Sequence, residues 1–293
     1  MAHVLNQSVT PRYAMYHGDC VEVLRGLPAD SVDYSIFSPP FSSLYTYSNS
    51  PHDMGNVRDD GEFFAHFAYL ISELRRVIKP GHLVSFHCMD LPTSKERDGH
   101  IGLRDFPGDL IRAFEGEGFR YHSKVTIWKD PVTAMQRTKA LGLLHKTVRG
   151  NATMTRQGIA DYLVTMRDPR EVQERVTHGE EYPVSLWQNV ASPVWMDINP
   201  SDTLQYRSAR EHDDERHIAP LQLEVIRRGI RLWTNLGDIV LSPFAGIGSE
   251  GYVALQEGRR FVGAELKASY YKQAVANLEA ASNIGQAQMF ESA

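Results

Sequence analysis

Three observations predict an α/β fold with a mostly parallel sheet and helices on both faces. Short apolar runs alternate with segments of helical period. A strand, a glycine turn and a helix start follow one another near the C-terminus, and the regular pattern lapses once, in the middle of the chain. With 42% hydrophobic and 23% charged residues, the 293-residue chain can bury a sizeable core, which excludes disordered and collagen-like classes. There are 31 basic and 36 acidic residues, a net charge of -5, so a nucleic acid would have to be met by a local basic surface. Cys20 and Cys88 stand far apart, which excludes a disulfide framework and a cysteine zinc site. The histidines show no HExxH spacing, and no metal is expected; scattered His52, His66, His87 and His100 read as packing or surface residues. No apolar run approaches the roughly 18 residues of a membrane span, and the first ten residues lack a basic start and an apolar core. The reading is a cytoplasmic protein without a membrane partner.

Taken in order, Arg12 to His17 reads as a strand and Val21 to Leu27 as a short helix. Val32 to Phe37 reads as a buried strand that Pro39-Pro40 must end, since two prolines remove ladder donors. Glu62 to Lys79 carries Phe63, Phe67, Leu70, Ile71, Leu74, Val77 and Ile78 at helical spacing, with Pro80-Gly81 as its stop. Leu83 to Cys88 (strand), Asp109 to Gly118 (helix) and Lys124 to Trp128 (strand) follow. Between Lys129 and Ile159 the pattern lapses. Tyr162 to Met166 is one more strand, and Arg167 to His217 is a second irregular stretch, with Trp128, Trp187 and Trp195 in or beside it. Structureless insertions of this length in a compact fold are usually functional. Leu221 to Thr234 (helix), Ile239 to Leu241 (strand), Ser249 to Glu257 (helix), Arg260 to Ala264 (strand) and Ser269 to Ala281 (helix) bring the sheet to seven strands. The chain divides into 1–128, then 129–216 with the insertions and one or more core strands, then 217–293.

Gly246, Gly248 and Gly251 fit the GxGxxG spacing between a buried strand and a helix start. Such glycines permit positive φ and let the backbone approach a ligand at the helix N-terminus. Glu265, at the end of the next strand, is placed to bind both hydroxyls of a ribose. The ligand is a dinucleotide or another adenosine compound. A dinucleotide fold opens with this loop, whereas here about 45 residues follow Gly248. The cofactor half must then be completed by N-terminal strands, a permuted order that argues against a dehydrogenase.

Ser38-Pro39-Pro40-Phe41 ends the strand from Val32. The prolines lock the backbone, so the Ser38 hydroxyl and the Pro39 carbonyl form a fixed pair of acceptors beside an aromatic face. An exocyclic amine on a planar base has its lone pair delocalised into the ring. Accepting its two N–H bonds in a tetrahedral arrangement favours the geometry that develops as it attacks a methyl donor. Phe41 would stack on a base that has left its helix.

Ser38-Pro-Pro-Phe41 together with Ser242-Pro-Phe-Ala-Gly-Ile-Gly248 resembles the β class of amino-group DNA methyltransferases that use S-adenosylmethionine, in which the catalytic loop precedes the glycine loop. The resemblance implies a Rossmann-like methyltransferase fold with an inserted recognition region. It also implies S-adenosylmethionine as cofactor, double-stranded DNA as partner and methylation of adenine N6 or cytosine N4. Tyr16-His-Gly-Asp19-Cys20 is similar to the family's opening, which places Asp19, with Cys20 beside it, at the cofactor adenine. His217-Ile-Ala-Pro220 is similar to the element lining the methionine end, and Val194-Trp195-Met-Asp-Ile198 to the family's tryptophan segment. Ser242, Phe244, Gly246 and Gly248 form the cofactor turn and Glu265 holds the ribose. Many members carry Asp in place of Ser38 and of Ser242, and a hydroxyl accepts a weaker hydrogen bond than a carboxylate. Serine at the first position is commoner among cytosine-N4 enzymes; adenine N6 is favoured by its frequency among enzymes without a restriction partner.

Between Lys129 and Gln157, Lys129, Arg137, Lys139, Lys146, Arg149 and Arg156 face a single acid, Asp130. This local excess predicts the phosphate-facing surface. Gln188, Asn189, Asn199, Arg207 and Arg210 in the second insertion are residue types that read base edges, Asn189 and Arg207 foremost. Tyr45, Tyr47, Asn49, Asp53, Met54, Gly55 and Asn56 are placed to close over a flipped base or to cap the following helix. A homodimer is compatible with the reading. Methylation of RNA or of a protein amide shares the amine chemistry. The two serines leave room for an inactive DNA-binding member of the fold, and the glycine spacing alone also fits a nicotinamide-dependent oxidoreductase.

Overall fold

The structure, a computed structural model, describes residues 4–41, 60–93, 95–132, 144–180, 182–205 and 220–291. Its strands are β1 (Val4–Val9), β2 (Tyr13–Gly18), β3 (Val32–Phe37), β4 (Ile78–Met89), β5 (Leu91–Thr93), β6 (Gly102–Arg104), β7 (Arg120–Ile127), β8 (Asp161–Arg167), β9 (Val194–Trp195), β10 (Ile239–Ser242) and β11 (Arg260–Glu265). The helices are α1 (Cys20–Arg25), α2 (Asp60–Val77), α3 (Lys95–Asp98), α4 (Phe106–Gly116), α5 (His145–Gly150), α6 (Val184–Ala191), α7 (Leu223–Trp233), α8 (Ser249–Gln256) and α9 (Ala268–Glu291). Among the described residues one sheet has nine strands in the order β1-β2-β11-β10-β3-β4-β8-β7-β9, and β5 and β6 pair separately. The seven expected strands are its contiguous centre, extended by β1 and β9 at the two edges. Pairing is antiparallel at β1–β2, β4–β8 and β7–β8 and parallel elsewhere in this sheet.

The sheet buries both faces, as parallel sheets must. On one side Phe63, Phe67, Leu70, Ile71, Leu74 and Val77 of α2, all fully buried, pack with α1, α4 and Val84, Phe86 and Cys88 of β4. On the other, Val225, Ile226 and Ile230 of α7 join α8, α9 and Tyr34 and Ile36 of β3. These are six of the seven residues whose spacing predicted the helix; the seventh, Ile78, opens β4 instead. The alternation of Tyr34 and Ile36 with Phe37 across β3 shows why that strand has no solvent face.

Pro80-Gly81 is not the stop of α2. The helix ends at Val77 and β4 begins at Ile78, with Pro80-Gly81 in an irregular step where the register moves from Val32↔Ile78 to Tyr34↔Leu83. Asp168 and Arg170 brace this step: Gly81 N–H donates to Asp168 Oδ1 at 3.3 Å, and Arg170 donates to the Ile78 carbonyl at 2.8 Å. The second irregular stretch contains α6 and β9, and the latter adds Trp195 to the sheet beside Ile127.

Where α8 packs on β11 and α9, a Cβ on Gly251 would come within 2.5 Å of Leu278 and Phe261 side-chain atoms. Gly251→Ala is therefore expected to destabilise the fold by about 1–3 kcal/mol, read as a lower urea midpoint with an unchanged slope.

Candidate active site

The sheet order places the site. From β10 the chain winds through α8 to β11 on one side, and from β3 through α2 to β4 on the other, with β10 and β3 hydrogen-bonded neighbours. Loops leaving such a pair diverge and open a crevice at the carboxyl ends of the strands. Ser38 to Phe41 follows β3 and Ser242 to Gly248 follows β10, so both sequence motifs meet there.

In the cofactor turn, Gly246 (φ 53°) and Gly248 (φ 86°) take left-handed conformations. A Cβ on Gly248 would lie 3.2 Å from Ala274, and at Gly246 it would meet open space. Gly248 caps α8 without a side-chain bond, and Asn277 donates to the Ile247 carbonyl at 2.8 Å, pinning the turn to α9. Glu265 closes it from β11: Oε2 accepts the Gly246 N–H at 2.9 Å and Oε1 the Lys267 N–H at 2.8 Å. A carboxylate so anchored is the group type that accepts from ribose hydroxyls. Asp19 caps α1 by accepting the Glu22 N–H at 3.0 Å. Burial, then the Asp19 charge, push the Cys20 thiol up. Ser242 Oγ is buried without a hydrogen-bond partner among the described residues. The positive-φ glycines, a Gly246 with no described atom within 4 Å of a Cβ placed there, the backbone-anchored Glu265 carboxylate and the buried Ser242 hydroxyl fit an adenosine cofactor carrying an amino-acid tail. Pro220 is half-buried ahead of α7, and His217 lies outside the described residues.

In the catalytic loop Pro39 and Pro40 are buried, while Ser38 and Phe41 are partly exposed. Phe37 packs against Phe244 of the cofactor turn with ring centres 5.8 Å apart, and Phe41 sits edge-on to Phe106 at 6.3 Å. Behind Ser38 lies a group that sequence reading assigned to packing. Ser38 Oγ is 3.2 Å from His87 Nδ1. His87 Nε2 faces Asp161 Oδ2 at 3.2 Å, off the line of a straight hydrogen bond, and Lys129 Nζ donates to Asp161 Oδ1 at 2.5 Å. The register supplies this geometry: Phe37 pairs with Phe86, which sets Ser38 beside His87, and His87 pairs with Leu163, two residues and one same-face step from Asp161. Asp161 is buried. Burial works against its ionisation, yet His87 and Lys129 beside it hold its carboxyl below the ordinary carboxylate range. In the tautomer with hydrogen on Nε2, toward Asp161, Nδ1 would accept from the Ser38 hydroxyl.

Lys129 thus belongs to this cluster. Lys146 and Arg149 are exposed on α5, Arg156 is half-exposed, and Asn189 is exposed on α6. Arg137, Lys139, Arg207, Arg210, His52 and the stretch from Tyr45 to Asn56 lie outside the described residues. His66 and His100 are exposed.

A left-handed glycine turn beside a proline-stiffened loop, on adjacent strands of a permuted doubly wound sheet, is the arrangement of the S-adenosylmethionine-dependent amino-group methyltransferases. The chain belongs to the N6/N4-type DNA methylase family, whose profile matches residues 32–276. It is 25% identical to the DNA adenine methyltransferase YhdJ of Escherichia coli (strain K12) over 269 residues, 91% of this chain and 83% of that one. It is 24% identical to the type II methyltransferase M.BglII from Bacillus subtilis over 87% of this chain and 66% of the relative. In fold it is similar to TTHA0409 of Thermus thermophilus complexed with S-adenosylmethionine, at a TM-score of 0.68, 22% identity and coverage of 93% and 95%. The PvuII DNA methyltransferase, cytosine-N4-specific, aligns at 0.67 and 19% identity over 97% and 95%.

At the start of α8, burial and then the neighbouring Glu265 charge push Glu250 up to about 8. The folded state therefore holds this proton more tightly than the unfolded chain does. The stability it contributes is complete below about pH 4.5, the unfolded value, and is lost as pH rises to about 8. Glu250→Gln should remove that loss, so melting curves at pH 5 and pH 9 should show the variant gaining on the parent at the higher pH.

Proposed function

We propose that this protein transfers the methyl group of S-adenosylmethionine to an exocyclic amine of a base flipped out of double-stranded DNA, adenine N6 first. The observation that carries the amine chemistry is the line from Ser38 through His87 to Asp161. With its hydrogen given to His87 Nδ1, the Ser38 oxygen turns its lone pairs to the crevice and becomes a stronger acceptor than an isolated hydroxyl. Together with the Pro39 carbonyl it accepts the two amine N–H bonds and draws the nitrogen toward tetrahedral geometry. S-adenosylmethionine, held by Glu265 and the glycine turn, would supply an electrophilic sulfonium methyl to the amine lone pair, the C–S electron pair staying with sulfur as a neutral thioether and the nitrogen becoming cationic. The surplus amine proton then passes to Ser38 as the hydroxyl proton moves to His87, where Asp161 faces the resulting imidazolium. Phe41 offers an aromatic face to the base, and Lys146 and Arg149 offer charge to the phosphates.

Adenine is supported by similarity to the adenine enzyme YhdJ. Cytosine N4 is the second reading, favoured by the serine at position 38, a feature of cytosine-N4 members. Mass spectrometry of nucleosides from cells expressing the protein tests both: N6-methyladenine is expected, N4-methylcytosine would select the second reading, and neither product would overturn the proposal. Ser38→Ala and His87→Gln should each lower the turnover rate by about 10²-fold with little change in DNA or cofactor affinity. Wild-type turnover in both would remove the loop from the chemistry. Because Lys146 and Arg149 share a helix face, replacing both by Ala should make the dependence of log affinity on log salt shallower by about two units; an unchanged slope would place the phosphate surface elsewhere.

A further inference from the structure

At the opposite end of β8 from Asp161 lies a pocket of 520 Å³ lined by Arg120, Arg167, Pro169, Arg170, Glu171, Val172 and Arg175. β8 spans about 20 Å between its ends, so this pocket is separate from the crevice. Its four guanidiniums are not equivalent. Arg170 is fully engaged: it donates to Asp168 at 2.8 Å, to Asp30 at 2.8 Å and to the carbonyls of Arg75 and Ile78. It forms a fixed part of the wall. Arg120 and Arg167 are direct cross-strand partners on β7 and β8, an opposition that costs stability when the charges are alike. Neither they nor the Arg175 guanidinium has an ion pair with a described residue, although the chain carries five more acids than bases. Burial, then the Arg167 charge, hold the nearby His122 below its ordinary value.

We propose that this pocket binds a small, multiply charged phosphate compound, with Arg120, Arg167 and Arg175 as its ligands. The volume is that of a small-molecule site. Planar guanidiniums match phosphate oxygens in pairs, and three exposed ones lining one cavity, against the single carboxylate of Glu171, match charge concentrated on a terminal phosphate or pyrophosphate better than the single charges spaced along a nucleic-acid backbone. Bound anion would also relieve the Arg120–Arg167 repulsion.

Inorganic pyrophosphate is the probe, titrated calorimetrically into the full chain at low salt, with a melting curve alongside. The wild type should bind it with a Kd of about 1 mM or tighter and melt at a higher temperature in its presence. In the R120A/R167A variant affinity should fall at least about tenfold, while the ligand-free protein melts no lower than the wild type because the opposed charges are gone. That second reading separates lost binding from lost folding, and Arg167→Gln should show the same pairing of effects in weaker form. Absence of pyrophosphate binding by the wild type, or equal binding by the double variant, would overturn the proposal. So would a single-stranded oligonucleotide without terminal phosphates competing for the site as effectively as pyrophosphate.

Discussion

The parallel pairing of β10 with β3 is the constraint on which the site depends. It joins strands whose sequences lie some two hundred residues apart, Val240 beside Tyr34 and Leu241 beside Ser35. The two loops that follow can therefore face each other only if the sheet forms in this order. Apolar burial on both faces supplies the driving force, since each strand contributes to α2 on one side and to α7 and α8 on the other. Short polar contacts then fix the alignment. Ser35 Oγ donates to the Leu241 carbonyl at 3.0 Å, and Asp33 accepts the Ile239 N–H at 2.8 Å at the base of the same pair. The chemistry at the top of the sheet inherits its precision from these bonds at the bottom and centre.

The serine hydroxyl at position 38 is a weaker acceptor than a carboxylate, and the structure shows what stands behind it. The negative charge is present but displaced by one imidazole: Asp161 is buried, and its cost of burial is met by Lys129 on one oxygen and His87 facing the other. Lys129 balances the charge of the carboxylate, and the imidazole of His87 stands between that carboxylate and the Ser38 hydroxyl.

Much of this was legible in the sequence, because the strands and helices that build the centre carry strong periodicity. Val32 to Phe37 and Glu62 to Lys79 are nearly uninterrupted in their patterns, and the prolines and glycines that follow the strands at Ser38 and Ser242 mark loops with restricted geometry. What escaped was set by long-range pairing. β1 has an exposed, polar sequence and is a strand only because β2 offers it an edge. β9 is two residues long and has no period to detect. Pro80-Gly81 carries the signature of a helix stop, and only the bracing by Asp168 and Arg170 turns it into an irregular step of β4. His87 sits in an apolar strand, where an isolated histidine reads as core, and Asp161 opens β8, 74 residues later. Nothing local links them. Had the antiparallel pairing of β4 with β8 been known, the His87–Leu163 register would have pointed to Asp161.

The most direct test of the account is a crystal structure of the protein with a target duplex and a non-reactive S-adenosylmethionine analogue. The account predicts a flipped base whose amine nitrogen lies within about 3.2 Å of Ser38 Oγ and of the Pro39 carbonyl oxygen, with Ser38 still bonded to His87. A base seated elsewhere, or a Ser38 hydroxyl turned away from the amine while His87 and Asp161 hold another group, would contradict it.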